Sequence, residues 1–226
     1  MSGGQRYEAD ASGAEMLARL GVRSPVYFIT PSQLDVDLEW LVEQAIAGGV
    51  GMVQLRLKEC TTREFVDCAA ALLPLCRREG VPLIVNDRAD VCLAVGADGV
   101  HVGQEDLPVE AARMVLGPAS IIGATTQTPE LARQAAHMGA SYVAVGPMFA
   151  SPTKPDKHVI GPRALTPVRR AVRLPVCAIG GITEGNIREV IAAGADLAAV
   201  VTAISEADDP AGAAAALVAA ATGTRA

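Results

Sequence analysis

Met52-Val53-Gln54-Leu55-Arg56-Leu57-Lys58 alternates apolar and polar side chains, and Thr61-x-x-Glu64 opens the run behind it, with Phe65, Cys68, Ala69, Leu72 and Cys76 at helical spacing. A period of two is the signature of a strand. A threonine and a glutamate three residues apart at the head of an apolar run form a capping box, which starts a helix. Pro74 is expected to kink that helix. The same strand–helix unit lies upstream: Val26 to Thr30 reads as a strand, and Leu38, Leu41, Val42, Ala45 and Ile46 form the apolar face of the helix behind it.

Downstream the unit recurs. Strands are expected at Leu83 to Asn86, Gly99 to Val102, Ile121 to Thr125, Tyr142 to Val145, Val176 to Ile179 and Leu197 to Val201. Helices fit between them, opened by cap-and-proline pairs at Thr128-Pro129, Thr166-Pro167 and Asp209-Pro210 and closed at glycines such as Gly80, Gly139 and Gly194. Alternating strands and helices make a parallel sheet with helical crossovers. An open doubly wound sheet competes with a closed barrel, but eight strands and eight helices in 226 residues favour closure. The expectation is an α/β protein with a closed (β/α)8 TIM barrel: residues 1–23 an N-terminal extension, one helix of it capping the barrel bottom, and 24–226 a single catalytic domain.

Composition narrows the function. Half the residues are hydrophobic and only 19% charged, so disorder is excluded. One Trp, three Tyr and three Phe leave an aliphatic core. A net charge of −6 argues against nucleic acid and anionic membranes as partners, and leaves room for a small anion in a local basic pocket. Cys60, Cys68, Cys76, Cys92 and Cys177 form no CxxC pair and suit a reducing cytoplasm. The start of the chain does not read as a signal peptide, and its longest apolar stretch, 213–221, is too short for a bilayer.

Barrel active sites sit at the C-terminal ends of the strands, so polar residues there carry the reading. Val53, Leu55 and Leu57 must meet the helices, which turns Gln54, Arg56 and Lys58 into the mouth. Two cations and an amide converging there suit phosphate or pyrophosphate. Asn86-Asp87-Arg88 follows the third strand and His101-Val102-Gly103-Gln104-Glu105-Asp106 the fourth. Asp87 and Asp106, on adjacent strand ends beside the cations, form a candidate Mg2+ seat, although each alone is more often a helix cap. His101 reads as a satisfied core residue. The long connection after the sixth strand offers Ser151, Thr153 and Lys154. Gly180 and Gly181 after the seventh strand, with Val201 and Thr202 after the eighth, suit a backbone phosphate site. Two anion sites thus share one mouth.

Gln54-Leu55-Arg56-Leu57-Lys58, Asn86-Asp87-Arg88, His101 to Asp106, Gly146-Pro147 through Thr153-Lys154, and Ala178-Ile179-Gly180-Gly181-Ile182 together resemble the thiamine phosphate synthases, over Val26 to Pro210. That family joins 4-amino-2-methyl-5-hydroxymethylpyrimidine pyrophosphate to a thiazole phosphate, or its carboxylated form, releasing pyrophosphate. The resemblance implies a Mg2+-assisted transferase with dissociative chemistry. It would place Gln54, Arg56, Lys58, Asn86, Thr125 and Lys154 on the pyrimidine pyrophosphate, with Arg56, Lys58 and Lys154 catalytic. Ser151, Thr153, Gly180, Gly181, Val201 and Thr202 would hold the thiazole phosphate, and Asp87 and Asp106 the metal. Where the family has Gly-x-Ser-x-His, this chain has Gly123-Ala124-Thr125-Thr126-Gln127. Thr125 keeps a hydroxyl; Gln127 loses the imidazole that related thiazole tautomerases use as a proton shuttle. A tautomerase-like isomerase and a non-catalytic phosphate-binding barrel are the rivals, and neither needs the Asp87–Asp106 pair. Small phosphorylated molecules are the expected partners, and homo-oligomeric assembly is compatible with all of this.

Overall fold

The computed structural model describes residues 13–32, 36–151 and 158–223. Eight parallel strands close into a barrel: β1 (Val26–Ile29), β2 (Met52–Leu55), β3 (Leu83–Asn86), β4 (Gly99–Val102), β5 (Ile121–Thr125), β6 (Tyr142–Val145), β7 (Val176–Ile179) and β8 (Leu197–Val200), with β8 pairing back onto β1. The described helices are α1 (Gly13–Arg19), α2 (Leu38–Ala47), α3 (Thr62–Glu79), α4 (Ala89–Val95), α5 (Val109–Leu116), α6 (Pro129–His137), α7 (Leu165–Ala171), α8 (Ile187–Ala192), α9 (Thr202–Ser205) and α10 (Pro210–Thr222).

Strand parity divides the core in two. Val53, Leu55, Val85, Val100 and Val143 point outward and pack with the helix faces, including Leu41, Phe65 and Leu72. Tyr27, Met52, Ile84, Tyr142, Cys177 and Leu197 fill the barrel interior. Leu17 of α1 and Val22 behind it belong to this inner cluster, so the N-terminal helix packs onto the interior of the barrel. Both sides of every strand are covered, which is why the strands read as nearly continuous apolar runs.

The capping box at Thr61 forms in both directions: Thr61 Oγ1 accepts from Glu64 N–H at 3.2 Å, and the Glu64 carboxylate accepts from Thr61 N–H at 2.7 Å. Such a cap stabilises a helix by about 1 kcal/mol. Thr128 and Asp209 cap α6 and α10 as expected, each with a proline in the first turn. α3 runs through Pro74 as one helix of 18 residues.

Four boundaries differ from expectation. β1 ends at Ile29, one residue short of Thr30. β2 ends at Leu55, so Arg56, Leu57 and Lys58 extend past the ladder, and β8 ends at Val200. α7 starts at Leu165, ahead of the expected Thr166 cap, because a 3-10 turn at Pro162–Ala164 leads directly into it. The Thr166 hydroxyl donates instead to the Ala193 carbonyl at 3.2 Å, tying α7 to the end of α8. Finally, α1 and α9 bring the described α-helices to ten, where the βα repeat accounts for eight: α1 belongs to the N-terminal extension and α9 is an extra turn behind β8.

Candidate active site

The polar residues of the strand ends gather where β2, β3, β4 and β5 adjoin. Gln54 and Asn86 are 2% and 6% exposed, a depth that polar side chains occupy only when they are partnered or await a partner. Gln54 donates to the Tyr27 hydroxyl at 2.6 Å. Asn86 Nδ2 is buried with no hydrogen-bond partner among the described residues, a state that costs stability unless a partner is supplied.

Arg56 begins where the ladder stops. Its N–H donates to Thr30 Oγ1 at 3.0 Å, and its guanidinium donates to the Ser32 hydroxyl. Burial lowers its affinity for a proton, which the Asp87 charge partly restores. A half-buried cation anchored by a neutral hydroxyl is well placed to receive an anion.

Asp87 has φ +62°, the left-handed region that an L residue other than glycine enters at a cost of about 1–2 kcal/mol, with Asp and Asn the most tolerant. Its N–H donates to the His101 carbonyl at 2.8 Å, and Lys58 Nζ lies 2.5 Å from its Oδ2. The carboxylate therefore faces Lys58 and does not cap α4, whose N-cap is Arg88 with no side-chain bond. Asp106 likewise does not cap α5: its Oδ2 turns back to accept from Gly103 N–H at 2.8 Å. A Cβ on residue 103 would sit 2.7 Å from that oxygen, so a larger residue there would have to push the Asp106 carboxylate aside.

The two carboxyls are in mutual hydrogen-bond reach. Burial raises Asp87, but the Lys58 hydrogen bond, the Asp106 hydrogen bond and the Lys58 charge outweigh it and hold Asp87 below its ordinary value. Burial raises Asp106 too; Gly103 N–H opposes, and the hydrogen bond and charge of Asp87 leave it above the ordinary carboxylate range. Two carboxylates this close stay charged together only beside cations, and Lys58 is one such cation.

Across the mouth, Gly180 (φ +103°) and Gly181 (φ +64°) are required by packing before any ligand is considered. A Cβ on Gly180 would lie 2.6 Å from Pro147 Cβ, and one on Gly181 would lie 2.8 Å from Phe149 Cβ. Met148 and Phe149 N–H groups donate to the Ile179 and Gly180 carbonyls at 2.9 and 3.0 Å, so the β6 loop lies against the β7 end and carries Ser151 with it. Val201 and Thr202 are partly exposed at the start of α9. Thr153 and Lys154 lie outside the described residues. Gln127, at the position of the lost imidazole, is exposed.

The family model for thiamine monophosphate synthase matches residues 26–204, the span that carries every strand of the barrel. The chain belongs to the thiamine monophosphate synthase family. It is 49% identical over 191 residues to the thiamine-phosphate synthase of Roseiflexus castenholzii, covering 83% of this chain and 84% of that relative. It is 44% identical over 203 residues to that of Gloeobacter violaceus, covering 90% of this chain and 59% of that longer protein. Among solved structures, thiamine phosphate pyrophosphorylase from Pyrococcus furiosus superposes with a TM-score of 0.82 at 36% identity, over 91% of this chain and 98% of that one.

Within this family member, sequence reading missed Tyr27, Tyr142 and the inward contacts of His101. His101 Nδ1 lies 2.9 Å from the Tyr142 hydroxyl, and its Nε2 lies 3.0 Å from Thr125 Oγ1. The available signal was Gly123 inside an otherwise β-branched and small-residue strand, a mark of close approach by a neighbour.

Proposed function

We propose that the chain is a thiamine phosphate synthase, a transferase that joins 4-amino-2-methyl-5-hydroxymethylpyrimidine pyrophosphate to a thiazole phosphate and releases pyrophosphate. The observation that carries the proposal is the cluster of Arg56, Lys58, Asp87 and Asp106 beside the unpartnered Asn86 amide. It pairs cations with a carboxylate couple, as a metal-assisted pyrophosphate site requires.

Asp87 and Asp106 fit Mg2+. Both are hard oxygen donors, and no group of three His, Cys, Asp or Glu side chains converges among the described residues. One or two carboxylates completed by water and substrate phosphates is how this ion is commonly held. When bound, Mg2+ supplies positive charge against the growing charge of the leaving pyrophosphate. Arg56 and Lys58 add fixed cations on the same side, where charge develops as the bond breaks. Asn86 Nδ2 donates to the same group. The positive methylene left behind is stabilised by its own electron-rich aminopyrimidine, so the protein contributes position more than proton transfer. Lys154, which follows β6 in the sequence, would bind the pyrophosphate and stabilise its departure. Ser151 and Thr153, with the chain at Gly180, Gly181, Val201 and Thr202, hold the thiazole phosphate as an anchor that does not react.

Residues 24–226 form the catalytic domain and 1–23 an extension, of which α1 packs on the barrel interior. No described helix is long and apolar enough to cross a membrane. All five cysteines are free thiols, which suits the cytoplasm.

The test is incubation of the purified protein with both substrates and Mg2+, scored for pyrophosphate and thiamine phosphate in equal amounts. Release is expected only with both substrates present, and chelator should abolish it. No product from the complete mixture would overturn the function; product that survives chelation would remove the metal from Asp87 and Asp106.

The thiols should be dispensable. Burial, with the Asp98 charge adding, pushes Cys76 and Cys92 up to about 12, and burial raises Cys177 further. At pH 8 a thiol at that value is ionised to about one part in ten thousand, and only the thiolate reacts. Brief alkylation of the folded protein should label only the partly exposed Cys60 and Cys68, by peptide mapping, and leave turnover intact. Inactivation that substrate prevents would contradict this.

A further inference from the structure

The chain leaves β4 through a side-chain contact. β4 ends at Val102, paired with Ala124, while β5 runs one residue further, to Thr125. Gly103, the next residue of the loop, turns its N–H to Asp106 Oδ2 at 2.8 Å. Thr125 is left at the end of β5 with no residue of β4 beside it. Its carbonyl is taken by a side chain instead: Gln104 Nε2 donates to it.

Other strand ends keep to the backbone. Just past β1, β3 and β5, Thr30 N–H donates to the Gln54 carbonyl at 2.9 Å, Asp87 N–H to the His101 carbonyl at 2.8 Å and Thr126 N–H to the Ala144 carbonyl at 2.7 Å. Each of these bonds carries the chain one step further along the next strand. The first N–H past β4 holds a carboxylate, and a glutamine amide keeps the loop on β5.

Asp106 depends on this turn. α5 begins behind it with Pro108 as N-cap and no side-chain cap bond, so the helix does not hold the carboxylate. What orients Asp106 is Gly103 N–H on one side and Asp87 on the other. Gly103 can present that N–H only while the loop stays folded beside β5, and the adjacent Gln104 side chain ties it there. Gln104 is itself exposed, so the barrel core does not rest on it.

We propose that Gln104 is a positioning residue: its amide, anchored on the Thr125 carbonyl, holds the turn that aims the Asp106 carboxylate at Asp87. It acts through that carboxylate and not on a substrate. This role rests on the Mg2+ seat of the synthase reading and extends it to an uncharged residue outside the cluster.

Gln104→Met keeps the length of the side chain and removes the donor, whereas Gln104→Asn keeps the amide on a stem too short to reach. Both should weaken Mn2+ binding to the substrate-free protein about fivefold, the size of one exposed hydrogen bond, read from the loss of the free-ion EPR signal. Mn2+ stands in for Mg2+ because both take octahedral oxygen sites. In steady state the Mg2+ concentration for half-maximal turnover should rise by the same factor. Parental turnover should return at saturating Mg2+, with the KM for thiazole phosphate within about twofold of the parent. Thermal unfolding should stay near the parent in both, since the side chain is exposed. Parental Mn2+ affinity in both variants overturns the inference. So does a Gln104→Asn protein that binds Mn2+ like the parent, which would make reach irrelevant, or a parent that binds no Mn2+. Turnover that stays low at saturating Mg2+ also overturns it, because Gln104 would then act on substrate. A parent that binds Mn2+, with both variants weakened, but releases no pyrophosphate sinks the synthase reading alone and leaves the positioning role standing.

Discussion

Asp87→Asn is expected to lower the turnover number about a thousandfold while leaving the barrel folded. The two side chains have the same shape, and Asn is as tolerant as Asp of the φ of +62° found at this position, so the backbone has no reason to move. The charge is what disappears. Lys58, 2.5 Å away, loses its ionic partner, and the couple with Asp106 becomes a single carboxylate. Asp106 is held up by burial first and then by the hydrogen bond and charge of Asp87, so the variant should let it titrate lower than in the parent. It therefore stays ionised, and the loss is one of donor count, not of protonation. Removing one preorganised electrostatic group from an active site typically costs about two to three orders of magnitude, and loss of a metal carboxylate belongs at the upper end. Steady-state assays across a Mg2+ titration check this: the variant should need far more Mg2+ and still not recover parental turnover. Parental turnover at the parental Mg2+ concentration would remove Asp87 from the site.

Arg56→Ala is expected to cut turnover about a hundredfold, with the KM for thiazole phosphate nearly unchanged. Arg56 stands just past the β2 ladder, half-buried, with its guanidinium on a neutral hydroxyl and the Asp87 charge acting on it. Its interaction should strengthen as charge moves onto the departing pyrophosphate, which is the condition for affecting turnover more than binding. Arg56→Lys should recover only part of the loss, because an ammonium cannot give two parallel N–H bonds to a phosphate. Full turnover of Arg56→Ala at saturating substrates would show that the cation only attracts the substrate.

Much of the candidate site was legible because strand parity is written in the residue order. Val53, Leu55 and Leu57 are apolar and Gln54, Arg56 and Lys58 are polar, and the barrel put the first set under the helices. The paired aspartates could be placed on neighbouring loops because consecutive strands in this architecture are spatial neighbours. Other details could not be read. Asp87 and Asp106 each had the look of a helix cap, and only the fold shows one turned to Lys58 and the other to Gly103 N–H. Gly180 and Gly181 suggested an anion cradle, whereas the β6 loop pressing on them already demands glycine.

The sequence by itself determined the alternation of strands and helices, the caps that start α3, α6 and α10, and the inward face of β2. These follow from local periodicity and from bonds spanning three or four residues, which any short window contains. Only the tertiary structure decided that Gln54, Tyr27, Tyr142, His101 and Thr125 form one line of hydrogen bonds, since its links span 27, 115, 41 and 24 residues of chain. Nothing local specifies such contacts: they exist because eight strands close on themselves and bring distant inward-facing side chains onto a shared axis.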